Sequence, residues 1–254
     1  MTRAYMNWSG GKDSSLCLHR ILEDKRYQVD FLLTSVNAFH DRISMHGVRR
    51  ELLMAQAAAV GIPLLTAELP EQPGMAEYEQ AMKEKMLFLK ERGCTHAIFG
   101  DIFLEDLRRY REEKLQSLGI QCEFPLWKIP TPQLMREFID LGFKAVIVCV
   151  NEKYLDKSFC GRLIDESFLQ DIPENVDPCG ENGEYHSFVY EGPLFRSPVP
   201  FQKGAITLRH YAAPASGSGS PMDQGSQAGF YFCDLLPPDR GVPGLQADHV
   251  KLYY

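Results

Sequence analysis

MNWSGGKDSSL, residues 6–16, decides the fold. Apolar residues lead into a Ser-Gly-Gly turn, and a helix-forming run follows. Paired glycines carry no Cβ, so backbone N–H groups there can close around an anion. The start of the next helix adds unpaired N–H donors and partial positive charge. Lys12 adds a full charge, and Ser9, Ser14 and Ser15 offer hydroxyls to phosphate oxygens. Asp13 can cap the helix or, with other carboxylates, help hold Mg²⁺. The spacing is not that of a Walker loop, which needs G-x-x-x-x-G-K-[ST].

Working outward, strand-like and helix-like segments alternate. Residues 4–8 read as a buried strand and 13–25 as a helix, with Leu16, Leu18, Ile21 and Leu22 at helical spacing. The run VDFLLTSV (29–36) suits a strand covered on both faces. A helix over 47–60, a strand over 62–66 and a charged helix over 75–92 stopped by Gly93 follow. A strand at 96–99 runs into Gly100-Asp101, a helix covers 104–118, and a short strand covers 121–124. Strands separated by helices pair in parallel with right-handed crossovers. The expectation is a doubly wound α/β domain over residues 1–128, with a five-stranded parallel sheet. Ligands bind at the carboxyl ends of such strands. Ser9, Gly10, Gly11, Asn37, Gly100 and Asp101 all fall at predicted strand ends, so they should line one cleft.

Pro125-Leu126-Trp127 breaks the pattern. Residues 129–254 read as a smaller α+β domain. It has a helix over 132–141, a strand over 145–150, an interrupted helix over 154–170, and strands over 187–190, 205–210, 230–235 and 249–254. Residues 212–228 are rich in Gly and Ser and read as a flexible loop.

The chain has 254 residues and a formal charge of −7. Its pI is about 5.5. An acidic balance argues against a nucleic-acid carrier. The seven cysteines show no C-x-x-C pair, so free thiols in a reducing cytosol are the simplest reading. No apolar run approaches membrane-spanning length, so a cytoplasmic protein is expected.

A second loop, DPCGENGEYHSFV (177–189), carries Asp177, Glu181, Glu184, His186 and the Cys179 thiol. Carboxylates on a glycine-rich loop suit general base work, ammonium binding or metal ligation. An acidic surface hairpin is the plain alternative.

Residues 9–14 match the S-G-G-x-D-S pattern and so resemble the pyrophosphate-binding (PP-) loop of the ATP-pyrophosphatase superfamily. Residues 179–185 resemble the C-G-E-x-G-E-Y signature of the diphthine–ammonia ligase family. Ser44-Met45-His46-Gly47-Val48, Gly100-Asp101-Ile102 with Arg109 to Glu112, and Pro125-Leu126-Trp127 are similar to that family too. The likeness covers about residues 4–196. It implies a HUP-like (adenine nucleotide alpha hydrolase-like) fold and ATP cleavage between the α- and β-phosphates. A carboxylate, that of diphthine on elongation factor 2, would be adenylated with release of pyrophosphate and then amidated by ammonia. Ser9 to Ser15, Asn37, His46, Gly100 and Asp101 would bind the nucleotide. Asp13 and Asp101 would serve Mg²⁺. Lys12, Asp13, Glu181, Glu184 and His186 would carry the catalysis, with no spacing argument fixing which one is the base. A homodimer is a further expectation.

The sequence departs from the family's usual pattern in having Asn182 for Gly and His186 for Glu, and the tail beyond Arg196 matches nothing in it. A different enzyme of the superfamily, such as a tRNA thiolase or small-molecule amidase, remains an alternative, as does a non-catalytic ATP-binding module like the universal stress proteins. The missing C-x-x-C and the acidic pI count against a thiolase. Several residues also have plain readings. His46 is either a ligand contact or a polar residue at a loop–helix junction. Arg108, Arg109 and Arg111 on one helix could grip phosphate or an acidic partner, and read more simply as a solvated helix face paired with Glu112 and Glu113. Trp127 reads as a junction aromatic, and Cys179 as a structural thiol.

Overall fold

Strand β1 (Thr2–Asn7) lies at the centre of a parallel sheet because both its faces are needed. Ala4 and Met6 point into one apolar cluster and Tyr5 into another, and all three are fully buried. The computed structural model describes residues 1–44, 46–212 and 227–238. β2 (Tyr27–Asn37) pairs with β1 on one side, and β4 (Leu64–Leu69) pairs beyond it. On the other side β5 (His96–Ile98) pairs with β1, and β6 (Gln121–Glu123) with β5. All four pairings are parallel, giving the order β4-β2-β1-β5-β6. This is the expected five-stranded sheet, consistent with a HUP-like fold. A short strand that the sequence reading lacked, β3 (Arg42–Ile43), runs antiparallel against the end of β2.

Helices α1 (Lys12–Asp24) and α2 (Arg50–Val60) cover one face with Leu16, Leu18, Ile21, Leu52 and Leu53. Helices α3 (Met75–Glu91) and α4 (Glu105–Gln116) cover the other with Met82, Leu89 and Leu115. The chain leaves β1 toward β2 and returns to β5 on the opposite side. The ends of β1 and β5 therefore flank the switch point where such sheets open a crevice. The loops at Trp8–Gly11 and Gly100-Asp101 sit there.

After α5 (Thr131–Asp140), an antiparallel sheet is built from β7 (Lys144–Asn151), β8 (Tyr185–Glu191), β9 (Gln202–Ala212) and β10 (Gln227–Leu236), in the order β8-β7-β10-β9. The helix expected over 154–170 is corrected. Only a 3₁₀ turn at Lys157–Phe159 and α6 (Glu166–Asp171) form there. Gly161, at φ 82°, and the bridge between Val146 and Leu163 turn the intervening chain back onto β7 instead. Of the loop read at 212–228, residues 213–226 lie outside the described residues, and so does the strand read at 249–254. The apolar cluster beneath α1 and α2 continues without a break into Val146, Val148, Phe188 and Leu235 of the second sheet. Among the described residues no helix is long and apolar enough to cross a membrane.

Candidate functional site

Gly10 stands at φ 74°, where only glycine rests without strain, and a Cβ there would lie 2.4 Å from Gln56 Oε1. Gln56 is fully buried on α2. Its Nε2 donates to the carbonyls of Gly10 (2.8 Å) and Val189 (2.6 Å), and its Oε1 accepts from Trp8 Nε1 (3.0 Å). Val189 N returns a bond to Gly10 O. One amide thus fastens the loop to β8. The sequence reading placed Gln56 on its helix but gave it no role, because a buried glutamine has no signature until its partners are known.

Helix α1 begins with no side-chain cap of its own. Gly11 N donates to Ser9 Oγ (3.2 Å) and Lys12 N to Ser187 Oγ (3.1 Å). Ser14 Oγ donates to Gly11 O and lies 3.1 Å from Ser9 Oγ. Ser15 is fully buried, and its hydroxyl has no partner among the described residues. Gly100 packs against this turn so closely that a Cβ would stand 3.1 Å from the Asp13 carbonyl carbon and 3.2 Å from Ser14 N. The two strand ends therefore press together at the start of α1.

Lys12 is 4 % exposed. Its Nζ donates to both Asp13 oxygens (3.0 and 2.7 Å) and to the Cys179 carbonyl, 5.1 Å above the Tyr185 ring. Burial pulls the Lys12 pKa down, but the charge and hydrogen bonds of Asp13 outweigh it, so the ammonium is held charged, its pKa above the usual lysine range. The Ser-Gly-Gly loop and the loop at 177–186 thus meet at one cation.

Within the second loop, Asp177 Oδ2 accepts from Thr131 Oγ1 (2.6 Å), and its Oδ1 from Cys179 N (2.8 Å) and Glu181 N (3.3 Å). Glu184, 1 % exposed, accepts from Asp177 N, Asn182 N and Asn182 Nδ2 at 2.8–3.1 Å. A buried carboxylate such as Glu184 is retained when donors satisfy it, and with the half-buried Asp177 it sets the loop's shape. Glu181 differs. Its Oε2 accepts one 3.3 Å bond from Ile102 N among the described residues, and burial followed by the charge of Asp13 pushes its pKa up to about 7. The Cys179 thiol is buried, bonds toward Thr131 O and is raised by burial, as suits a structural thiol.

His46 and His186 stack with centroids 4.6 Å apart. His46 Nδ1 lies 3.3 Å from Ser187 O, and its Cε1 is so near α1 that a Cβ on Gly11 would stand 3.1 Å away. Burial lowers His46 to about 4, and burial, His46 and Lys12 lower His186 well below the ordinary histidine value, so both rings are neutral at physiological pH. Asp101 pairs with Arg111, Nε to Oδ2 2.9 Å, and the guanidinium lies over Phe99. Asp101 Oδ2 is nevertheless buried without an aligned donor among the described residues. Asn37 is engaged elsewhere: its Nδ2 donates to the Pro70 and Glu71 carbonyls and its Oδ1 accepts from His40 N. Arg108 bonds Glu112 at i,i+4 and covers the Phe124 and Trp127 rings.

Among the described residues no three His, Cys, Asp or Glu side chains form a metal site by themselves. Mg²⁺ is ordinarily held by one or two carboxylates plus substrate phosphates. Asp13 and the unaligned Oδ2 of Asp101 fit that mode.

Two models of one family and several named relatives match this chain. The diphthamide synthase N-terminal domain model matches residues 2–122 and the C-terminal domain model matches 130–209. A Mus musculus protein named diphthine–ammonia ligase is 28% identical over 166 residues, 63% of this chain and 62% of that protein. A Homo sapiens protein of the same name is 30% identical over 131 residues, 49% of each. One from Schizosaccharomyces pombe is 24% identical over 214 residues, 75% of this chain and 34% of that protein. The chain spans less than two thirds of the length of each of these relatives.

Proposed function

The chain belongs to the diphthamide synthase family, and we propose that it is an ATP-dependent amide ligase acting on the carboxylate of diphthine in elongation factor 2, with ammonia as nitrogen donor. The observation that carries this reading is Lys12, a buried ammonium bonded both to Asp13 at the phosphate loop and to the Cys179 carbonyl of the acidic loop. It supports an anionic leaving group on one side and acyl chemistry on the other.

In this reading ATP lies with its phosphates on Ser9, Gly10, Gly11 and the start of α1. Lys12 balances charge as it builds on the leaving pyrophosphate. Mg²⁺ held by Asp13 and Asp101 would offset phosphate charge. The acceptor carboxylate attacks the α-phosphorus. The bond to the bridging oxygen breaks, pyrophosphate leaves, and an acyl adenylate remains. Ammonia then attacks the acyl carbon and AMP departs with the electrons of the C–O bond. The nitrogen sheds a proton, and Glu181 receives it. A group near pH 7 with one weak hydrogen bond is suited to that exchange. Glu184 and Asp177 hold Glu181 in place from behind. The neutral imidazoles of His46 and His186 wall the cleft beside Gly11.

The test uses ¹⁵N-ammonium, ATP, Mg²⁺ and diphthine-bearing elongation factor 2. The reading expects the factor to lose an oxygen and gain a labelled amide nitrogen by mass spectrometry. An unlabelled factor after ATP is consumed would refute the assignment of acceptor and donor.

A further inference from the structure

β10 lies beyond the residues that either family model matches, yet it reaches the nucleotide side of the molecule. Asp234 Oδ1 accepts from Arg42 Nη1 (2.9 Å) and Arg49 Nε (3.1 Å), and its Oδ2 from Arg49 Nη2 (2.7 Å). Arg42 and Arg49 are the two ends of the turn that carries His46. Their own backbones form an antiparallel bridge, and Ile43 N donates to Val48 O. The same Arg42 Nη1 also donates to Gly47 O at 2.7 Å. The turn is held from a second point as well. Gly47 stands at φ 70°, and a Cβ there would lie 2.9 Å from the Phe232 ring. One carboxylate and one aromatic ring of β10 therefore clamp both ends and the apex of a turn whose side chain stacks on His186.

We infer that Asp234 is a positioning residue: through Arg42 and Arg49, and with Phe232 against Gly47, it sets the His46 ring against His186 and the first turn of α1. Bidentate carboxylate–guanidinium pairs fix direction as well as distance. Two arginines on one carboxylate leave the turn little freedom to swing. Three of these side chains are only half-buried, with Asp234 27 % exposed, so the value of the cluster lies in geometry more than in stability. The contact stands without the ligase reading. Its effect on ligand binding rests on the phosphate-loop part of that reading.

The experiment compares the full chain with Asp234→Ala and Asp234→Glu. Nuclear Overhauser contacts between the His46 and His186 ring protons report the stacking directly. Calorimetry with inorganic pyrophosphate reports the phosphate loop. Asp234→Ala should lose the ring–ring contact and weaken pyrophosphate binding on the order of tenfold, the scale of losing an orienting outer partner. Asp234→Glu, which keeps the charge, should restore most of both. If Asp234→Ala fails to fold, Arg49→Gln removes the Oδ2 arm from the more exposed side and should loosen the same contact. A folded Asp234→Ala or Arg49→Gln protein that keeps the His46–His186 contact overturns the inference. Loss of the contact with unchanged pyrophosphate binding would keep the positioning role but sever it from the phosphate loop.

Discussion

The backbone N–H of Lys12 donates to the hydroxyl of Ser187 at 3.1 Å, joining residues 175 positions apart in the chain. The start of α1 is thus bonded directly to the strand that follows the acidic loop. The Ser-Gly-Gly loop and the acidic loop are brought together by this contact and by the Lys12–Cys179 bond.

Gln56→Leu should be costly although Gln56 touches no ligand. The change strands Trp8 Nε1 and the Val189 carbonyl in the interior and frees Gly10. Unsatisfied buried groups cost about 1–3 kcal/mol each, so a loss of roughly 2–4 kcal/mol is expected in urea unfolding. A loss below about 0.5 kcal/mol would mean that water or repacking replaces the amide.

Gly100→Ala should separate binding from folding. The added Cβ presses on the Asp13–Ser14 backbone, not on the core. ATP affinity should fall while the melting temperature changes little. Lys12→Ala should abolish measurable ATP binding by calorimetry, and affinity equal to wild type would remove Lys12 from the phosphate site.

Glu181 and the two histidines make opposing pH predictions. Glu181 has its folded pKa raised to about 7, above the ordinary 4.5. The native state then holds the extra proton between those values, so this group's contribution falls as pH rises from about 4.5 to 7. His46, lowered from 6.5 to about 4, contributes stability that is complete above 6.5 and lost as pH falls toward 4. The trends partly cancel in the native protein. Glu181→Gln should unmask the histidine slope, making the variant more stable than the parent above pH 7 by an amount of order 1–2 kcal/mol. Urea unfolding at pH 5, 6 and 7.5 reads this, and identical slopes in both proteins would show that Glu181 does not titrate in that range.

Turnover should also track Glu181. As proton acceptor it must be ionised, so at a fixed concentration of free ammonia the rate should rise with pH through about 7 and level above it. Glu181→Gln should lose that limb along with most of the rate. Glu184→Gln, by contrast, should lower turnover through loop distortion without moving the pH profile, because Glu184 is committed to three donors within its own loop.

Much of this was readable in the residues. The run 29–36 gave a central strand because parallel strands are buried on both faces. The Ser-Gly-Gly turn marked the strand-to-helix junction between β1 and α1, because few other residues permit so close a backbone approach. Other features had no local signal. β3 is two residues long and exists only because β2 outruns β1. The helical spacing over 154–170 was overridden by pairing to β7. Gln56, Ser187 and the Cys179 carbonyl act across 46 to 175 residues, where neither spacing nor composition points. Arg111 read as a solvated helix face, but its partner Asp101 sits across the start of the helix, at the end of β5. Glu181 and Glu184 looked equivalent in sequence and differ in burial, in the donors that reach them and in the nearness of Glu181 to Asp13.

The central claim is that one cleft splits ATP at the α–β bond in step with acylation. The most direct measurement is the nucleotide product profile of the purified full chain with ATP, Mg²⁺, ammonium and diphthine-bearing elongation factor 2. The account predicts AMP and pyrophosphate in equal amounts, each dependent on the factor and absent in Lys12→Ala. ADP and phosphate as products, or no factor-dependent AMP, would contradict it.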